Sequence, residues 1–327
     1  FVNTDEGGQD SAQDAFDQAL DLFQEKKLDD AAKQFEVILK KHPKSRVAPE
    51  SQYRLGTIYE ESGDLLKAHK AYQNLLKTYP QSERFEEVVE REYGLGMAFL
   101  SGEKGKVFGI KIKPSLSTSI EIFKGLVEAA PFSAYGDKAQ YQLGIAHLKA
   151  GQYDQAVEAF QEVVDQYPQS PLVQDARLQM TEAAYAKSQV ETRDQSALDE
   201  ASAQADWYLK KYGASAEADK AAKIRREVDE RNAEKNYRIG AYYEKENYLE
   251  SALIYYRDTA KRYSETLWGQ KAADKMRSLE QPVTYLTAKE DDVRAQISKL
   301  EAELNALGKG DKQERDRLEA EIKKQKK

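Results

Sequence analysis

Two stretches of this 327-residue chain agree position by position: Glu50 to Ser82 reads ESQYRLGTIYEESGDLLKAHKAYQNLLKTYPQS, and Lys138 to Ser170 reads KAQYQLGIAHLKAGQYDQAVEAFQEVVDQYPQS. Such self-similarity constrains a fold strongly, because every copy must form the same small unit and neighbouring units must cover one another. Small residues recur at Gly56 and Gly144 and again at Ala68 and Ala156, aromatics at Tyr72 and Phe160, and prolines at Pro80 and Pro168. Gly63 and Gly151 stand where a first helix ends, as the residue type that tolerates a left-handed cap, and the proline stops a second helix. The spacing predicts an antiparallel helical hairpin. Small residues on its two helices face each other so that the backbones approach closely, while Tyr72 or Phe160 fills the neighbouring space against the next unit.

With that register, weaker copies emerge. Ala19, Ala31, Phe35 and Pro43 mark a first unit; Gly96, Ser119, Phe123 and Pro131 a third; Thr181, Ala201, Ala205 and Gly213 a fifth; Gly240, Ala252 and Tyr256 a sixth. The pattern resembles the tetratricopeptide repeat. The implied fold is all-α, a right-handed superhelix of about six hairpins, with units near 12–43, 50–80, 88–131, 138–168, 172–215 and 216–276. A helix-permissive run from Ala216 to Glu246 leads into the last unit. Residues 1–11 read as a flexible lead-in. Residues 281–327, with a heptad-like stripe of Val293, Ile297, Leu300, Leu304 and Leu307, read as a charged helical or coiled-coil extension.

Composition removes several functions. No apolar run approaches the eighteen or so residues of a bilayer helix. Zero cysteines exclude disulfides, thiolate nucleophiles and cysteine-ligated metals. Fifty Lys plus Arg against fifty-seven Asp plus Glu leave a charge of −7, which argues against a general nucleic-acid role. His42, His69 and His147 stand in three different repeats without a companion at i+3 or i+4, so no metal site or general base is read from them. No nucleophile elbow, dinucleotide loop or paired-acid signature occurs, and no cofactor is expected.

The repeat spacing narrows the family. Gly56 follows Ala19 by 37 residues and Thr181 follows Gly144 by 37, against 34 in generic arrays. The links share a phrase, YPQS after Gln166 and Thr78 and APFS after Ala129. Those links, the insertion at Gly102 to Pro114 and the segment Tyr237 to Thr266 together resemble the BamD family, the tetratricopeptide-repeat lipoproteins of outer-membrane β-barrel assembly. The resemblance covers roughly Ala12 to Met276, and the C-terminal extension departs from it. It implies a non-catalytic scaffold at the periplasmic face of the outer membrane, held by a lipid on an N-terminal cysteine that is not in this sequence. N-terminal repeats would receive unfolded barrel proteins, and C-terminal repeats would dock the barrel-forming partner. Two other readings stay open: a Tol-Pal-associated or other periplasmic adaptor, which shares the YPxS links but usually places its coiled coil before the repeats, and a recruiting subunit of an enzyme complex.

Two sets of residues are candidate contacts. Position five of each unit, which points toward the concave groove in tetratricopeptide superhelices, holds Phe16, Tyr53, Tyr93, Tyr141, Leu178 and Tyr237, and the aromatic members offer ring area to an extended peptide. In the insertion, Lys104, Lys106, Lys111 and Lys113 oppose only Glu103, and Val107, Phe108, Ile110 and Ile112 lie among them. That loop reads either as a plug tucked against the solenoid or as an anchor presented to a partner or an anionic surface. Glu60, Glu61 and Glu90 are read as solvated.

Overall fold

The computed structural model describes residues 6–101, 113–192, 194–307 and 312–326, with side chains from Asp10 onward. Among them lie fourteen helices and no strand. Five hairpins come first: α1 (Glu6–Gln24) with α2 (Leu28–Lys41), α3 (Ala48–Glu61) with α4 (Leu65–Thr78), α5 (Phe85–Ser101) with α6 (Leu116–Ala129), α7 (Gly136–Lys149) with α8 (Tyr153–Gln166), and α9 (Val173–Val190) with α10 (Gln195–Tyr212). Then follow α11 (Ala218–Lys245), α12 (Leu249–Arg262), α13 (Leu267–Ala306) and α14 (Lys312–Gln325). The chain divides into two compact units, one through Ile224 and one from Arg225.

Tight turns close four of the hairpins in one way. Gly63 and Gly151 take φ of +83° and +72°, and the same place is held by Lys26 and Asn247, both at +62°. In each case the following N–H reaches back to a carbonyl in the last turn of the first helix, as in Asp64 to Tyr59 and Gln152 to His147, the pattern of a left-handed helix cap. Inside the hairpin, the glycine on the first helix makes room for the aromatic ring of the second. A β-carbon at Gly56 would stand 2.2 Å from the Tyr72 ring, at Gly96 2.6 Å from Phe123, at Gly144 2.6 Å from Phe160, and at Gly240 2.9 Å from Tyr256. This refines the expected geometry: the ring seats on the glycine of its own hairpin instead of only filling space toward the next. Ser119 shows the backbones' close approach, its hydroxyl donating to the Gly96 carbonyl at 3.0 Å.

The extra residues of the 37-residue period form a fixed link. The serine of each P-x-S phrase sends its N–H back three residues, Ser82 to Tyr79, Ser133 to Ala130 and Ser170 to Tyr167, and its carbonyl accepts from the first turn of the next helix. Ser45, Ser215 and Thr266 repeat the first of these bonds where the phrase has degenerated. Tyrosine struts tie successive links together: Tyr79 donates to the Pro43 carbonyl at 2.9 Å and Tyr167 to that of Pro131 at 3.0 Å.

In the second unit, Ala252, Leu253 and Tyr256 of α12 pack with Ala272, Leu279 and Val283 of α13. Helix α13 therefore covers the last hairpin and runs on without a break through Pro282 into the heptad stripe. Leu318 and Ile322 of α14 are buried where that helix folds back along α13.

Candidate functional site

The position-five residues are built into the hairpins. Phe16 lies 5.8 Å from Phe35, Tyr93 5.8 Å from Phe123, Tyr141 5.4 Å from Phe160 and Tyr237 5.2 Å from Tyr256, each ring against the aromatic of its own second helix. Phe16, Tyr53 and Leu178 are buried, whereas Tyr93, Tyr141 and Tyr237 keep part of their surface. As an uninterrupted aromatic track for a peptide the row is thus broken: ring area at Phe16 and Tyr53 is already used in packing. Of the insertion residues, Lys104, Lys106, Val107, Phe108, Ile110, Lys111 and Ile112 lie outside the described residues, and Lys113 is exposed at the edge of α6.

Around Tyr53 the structure assembles what the sequence did not suggest, an alternating chain of charges joining α3 to α5. Arg54 Nε meets Glu50 at 2.8 Å, Glu50 meets Arg84 Nε at 3.0 Å, Arg84 Nη1 meets Glu87 at 3.1 Å, Glu87 meets Arg91 Nη2 at 3.0 Å, and Arg91 Nη1 meets Glu60 at 2.6 Å. Three cations and three carboxylates cancel. The Tyr53 hydroxyl donates to Glu87, and the Arg84 guanidinium lies 4.7 Å from the Tyr53 ring centroid. Burial pushes the Glu60 carboxyl up to about 6 against the pull of Arg91. Burial also opposes the charge of Glu87, but Tyr53, Arg91 and Arg84 together hold it below the usual range. The reading of Glu60 as solvated is therefore corrected: it is 2% exposed, because α4 and α5 close over the end of α3.

A second polar cluster sits deeper. Glu92 is fully buried, 2.8 Å from His69 Nδ1 and accepting from Gln73 Nε2 at 2.8 Å. Burial raises its carboxyl despite both partners. The signal was present in the register. Gln52 and Gln140 occupy the same fourth position, each donating to the backbone carbonyl of its own second helix, Ala71 and Ala159, at 2.9 Å. A glutamate at that place marks a carboxylate in the core. Among the described residues no group of three or more His, Asp or Glu could hold a metal ion, and no helix is long and apolar enough to cross a membrane.

Aromatic surface gathers in the second unit. Tyr243 stacks on Tyr255 at 5.5 Å and touches Tyr242 and Tyr248, which are 60% and 63% exposed. Arg238 and Ile239 extend this surface along α11.

Successive helical hairpins, with an aromatic seated on a glycine and a left-handed turn recurring among them, define a tetratricopeptide-repeat protein. The chain belongs to the YfiO family, described as outer membrane lipoproteins, whose model matches residues 8–143 and 113–296. Comparison with curated proteins finds no match. Among solved structures it is similar to a tetratricopeptide repeat protein of Parabacteroides merdae, with 14% identity over 83% of this chain and 99% of that one and a TM-score of 0.30. It is also similar to MamA of Desulfovibrio magneticus RS-1, with 17% identity over 62% and 93% and a TM-score of 0.29. A third is a thermophilic repeat protein of Thermus thermophilus, with 19% identity over 65% and 98% and a TM-score of 0.28.

Proposed function

We propose that this protein is a non-catalytic scaffold of outer-membrane β-barrel assembly, working at the periplasmic face of that membrane. The observation that carries the reading is the match to an outer membrane lipoprotein family over residues 8–143 and 113–296, which includes five hairpins of the first unit and the sixth of the second. Rigid helix faces suit such a role, since an unfolded client gives up its own chain entropy while a preorganised array gives up little. Unfolded barrel proteins are received along the hairpins of the first unit, with the partly exposed rings of Tyr93 and Tyr141 on the third and fourth as contacts. The barrel-forming component docks on the last hairpin, where Tyr242 and Tyr248 supply exposed aromatic anchors. Depletion in cells tests the assignment. Barrel proteins should disappear from the outer membrane, and the barrel-forming component should co-purify with the wild-type chain but poorly with a Tyr242→Ser, Tyr248→Ser double variant. Normal barrel levels on depletion, accompanied by a defect in envelope constriction, would move the protein to the Tol-Pal class of adaptors.

A further inference from the structure

The middle residue of the six links is Lys44, Gln81, Phe132, Gln169, Ala214 and Glu265, and every one is exposed. Five are polar or small. The sixth, Phe132, shows 96% of its surface to solvent, the most exposed large apolar side chain among the described residues. Nothing in the turn calls for a ring, since glutamine occupies the same place in two sister links with the same backbone bonds. The turn is also firmly held. The Ser133 hydroxyl donates to the Ala130 carbonyl at 2.8 Å, and the Tyr167 hydroxyl to the Pro131 carbonyl at 3.0 Å, so the residues on either side of Phe132 are pinned. Beside the ring opens a cleft of about 350 Å³ walled by Tyr167 and Pro168. Among the described residues, Asp137 is the one carboxylate lining it, and no cation does. That carboxylate is itself fixed, accepting from the Ser170 hydroxyl at 2.6 Å and the Lys138 N–H at 2.8 Å.

We infer that Phe132 anchors a docking surface for a folded protein partner, which takes the ring into an apolar socket and sets a cationic side chain against Asp137. An aromatic side chain on a rigid support gives large buried area with little ordering cost, the usual character of an interface hot spot. The charge decides the class of partner. Segments that seat aromatics in a lipid leaflet surround them with lysine and arginine, whereas the charged group lining the cleft beside this ring is an acid that an anionic leaflet repels, and the adjacent Lys138 lays its ammonium 4.8 Å from the Tyr135 ring centroid. This surface lies in the link between α6 and α7 of the first unit and does not depend on the barrel-assembly reading.

The test uses the full chain. Phe132→Gln restores the residue of the sister links, and its melting temperature should equal that of the wild type. A photo-crosslinking side chain at Ala134, exposed beside the ring, is used in intact cells, and the adduct is identified by mass spectrometry, purified and titrated against both chains. The expected result is at least about a tenfold loss of affinity in Phe132→Gln and a smaller loss in Asp137→Asn, with no binding of either chain to vesicles of phosphatidylglycerol and phosphatidylethanolamine. Three results overturn the proposal: no discrete adduct, equal affinity of the wild type and Phe132→Gln, or vesicle binding that depends on Phe132.

Discussion

One helical turn separates Gly56 from Glu60 on α3, and both are decided by what α4 and α5 lay over them. At Gly56 a methyl group would enter the Tyr72 ring, which is itself completely buried, so Gly56→Ala should cost about 1–3 kcal/mol in urea unfolding. Gly94 is the internal control. Nothing stands within 4 Å of a β-carbon there, so Gly94→Ala should gain up to about 1 kcal/mol from helix propensity alone. At Glu60 the issue is ionisation. Its carboxyl rises from 4.5 to about 6 on folding, so the folded state holds the proton more tightly. The stability this group contributes is complete below pH about 4.5 and is lost as pH rises through about 6, an effect of about 2 kcal/mol. Glu60→Gln removes the titration. Unfolding measured at about pH 4.5 and about pH 7 should show a difference smaller by about 2 kcal/mol in the variant, and identical differences would mean that Glu60 ionises as it does in water.

Elements were legible wherever one hairpin sets its own pattern. The spacing from Gly56 to Tyr72 and from Gly144 to Phe160 is a within-hairpin fact, and the helices fall where it places them. Contacts across hairpins left no such trace. Glu92 shares its register with Gln52 and Gln140, and its environment depends on His69 and Gln73 of the preceding hairpin, which no local period records. Phe132 was visible in the APFS phrase, but its exposure became clear only once the link was seen to be a pinned turn. Helix α13 gives another lesson. Proline inside a helix costs about 3 kcal/mol, and burial of Leu279 and Val283 on either side of Pro282 offsets that locally. The link itself can be weighed. Tyr167→Phe deletes the hydroxyl that bridges to Pro131 and should cost about 1 kcal/mol, seen as a lower urea midpoint with an unchanged slope.

At the scale of the molecule, a repeat array transmits damage through neighbours only. Gly144→Leu overfills the contact with Phe160 between α7 and α8. Amide exchange should quicken in those two helices and in α6 and α9, which pack on them, while α1 and α2 keep their wild-type rates. A uniform acceleration throughout the first unit would show instead that its hairpins open together. The array also has a doorway. The Ser115 N–H reaches the Phe99 carbonyl at 3.0 Å, closing the neck between α5 and α6 before Ser115 caps the latter. That bond ties the end of α5 to the start of α6 directly. A fluorescent reporter grafted between Ser101 and Lys113 should leave the helices of the third hairpin joined by that bond, which gives the cell biologist a labelling port on the first unit.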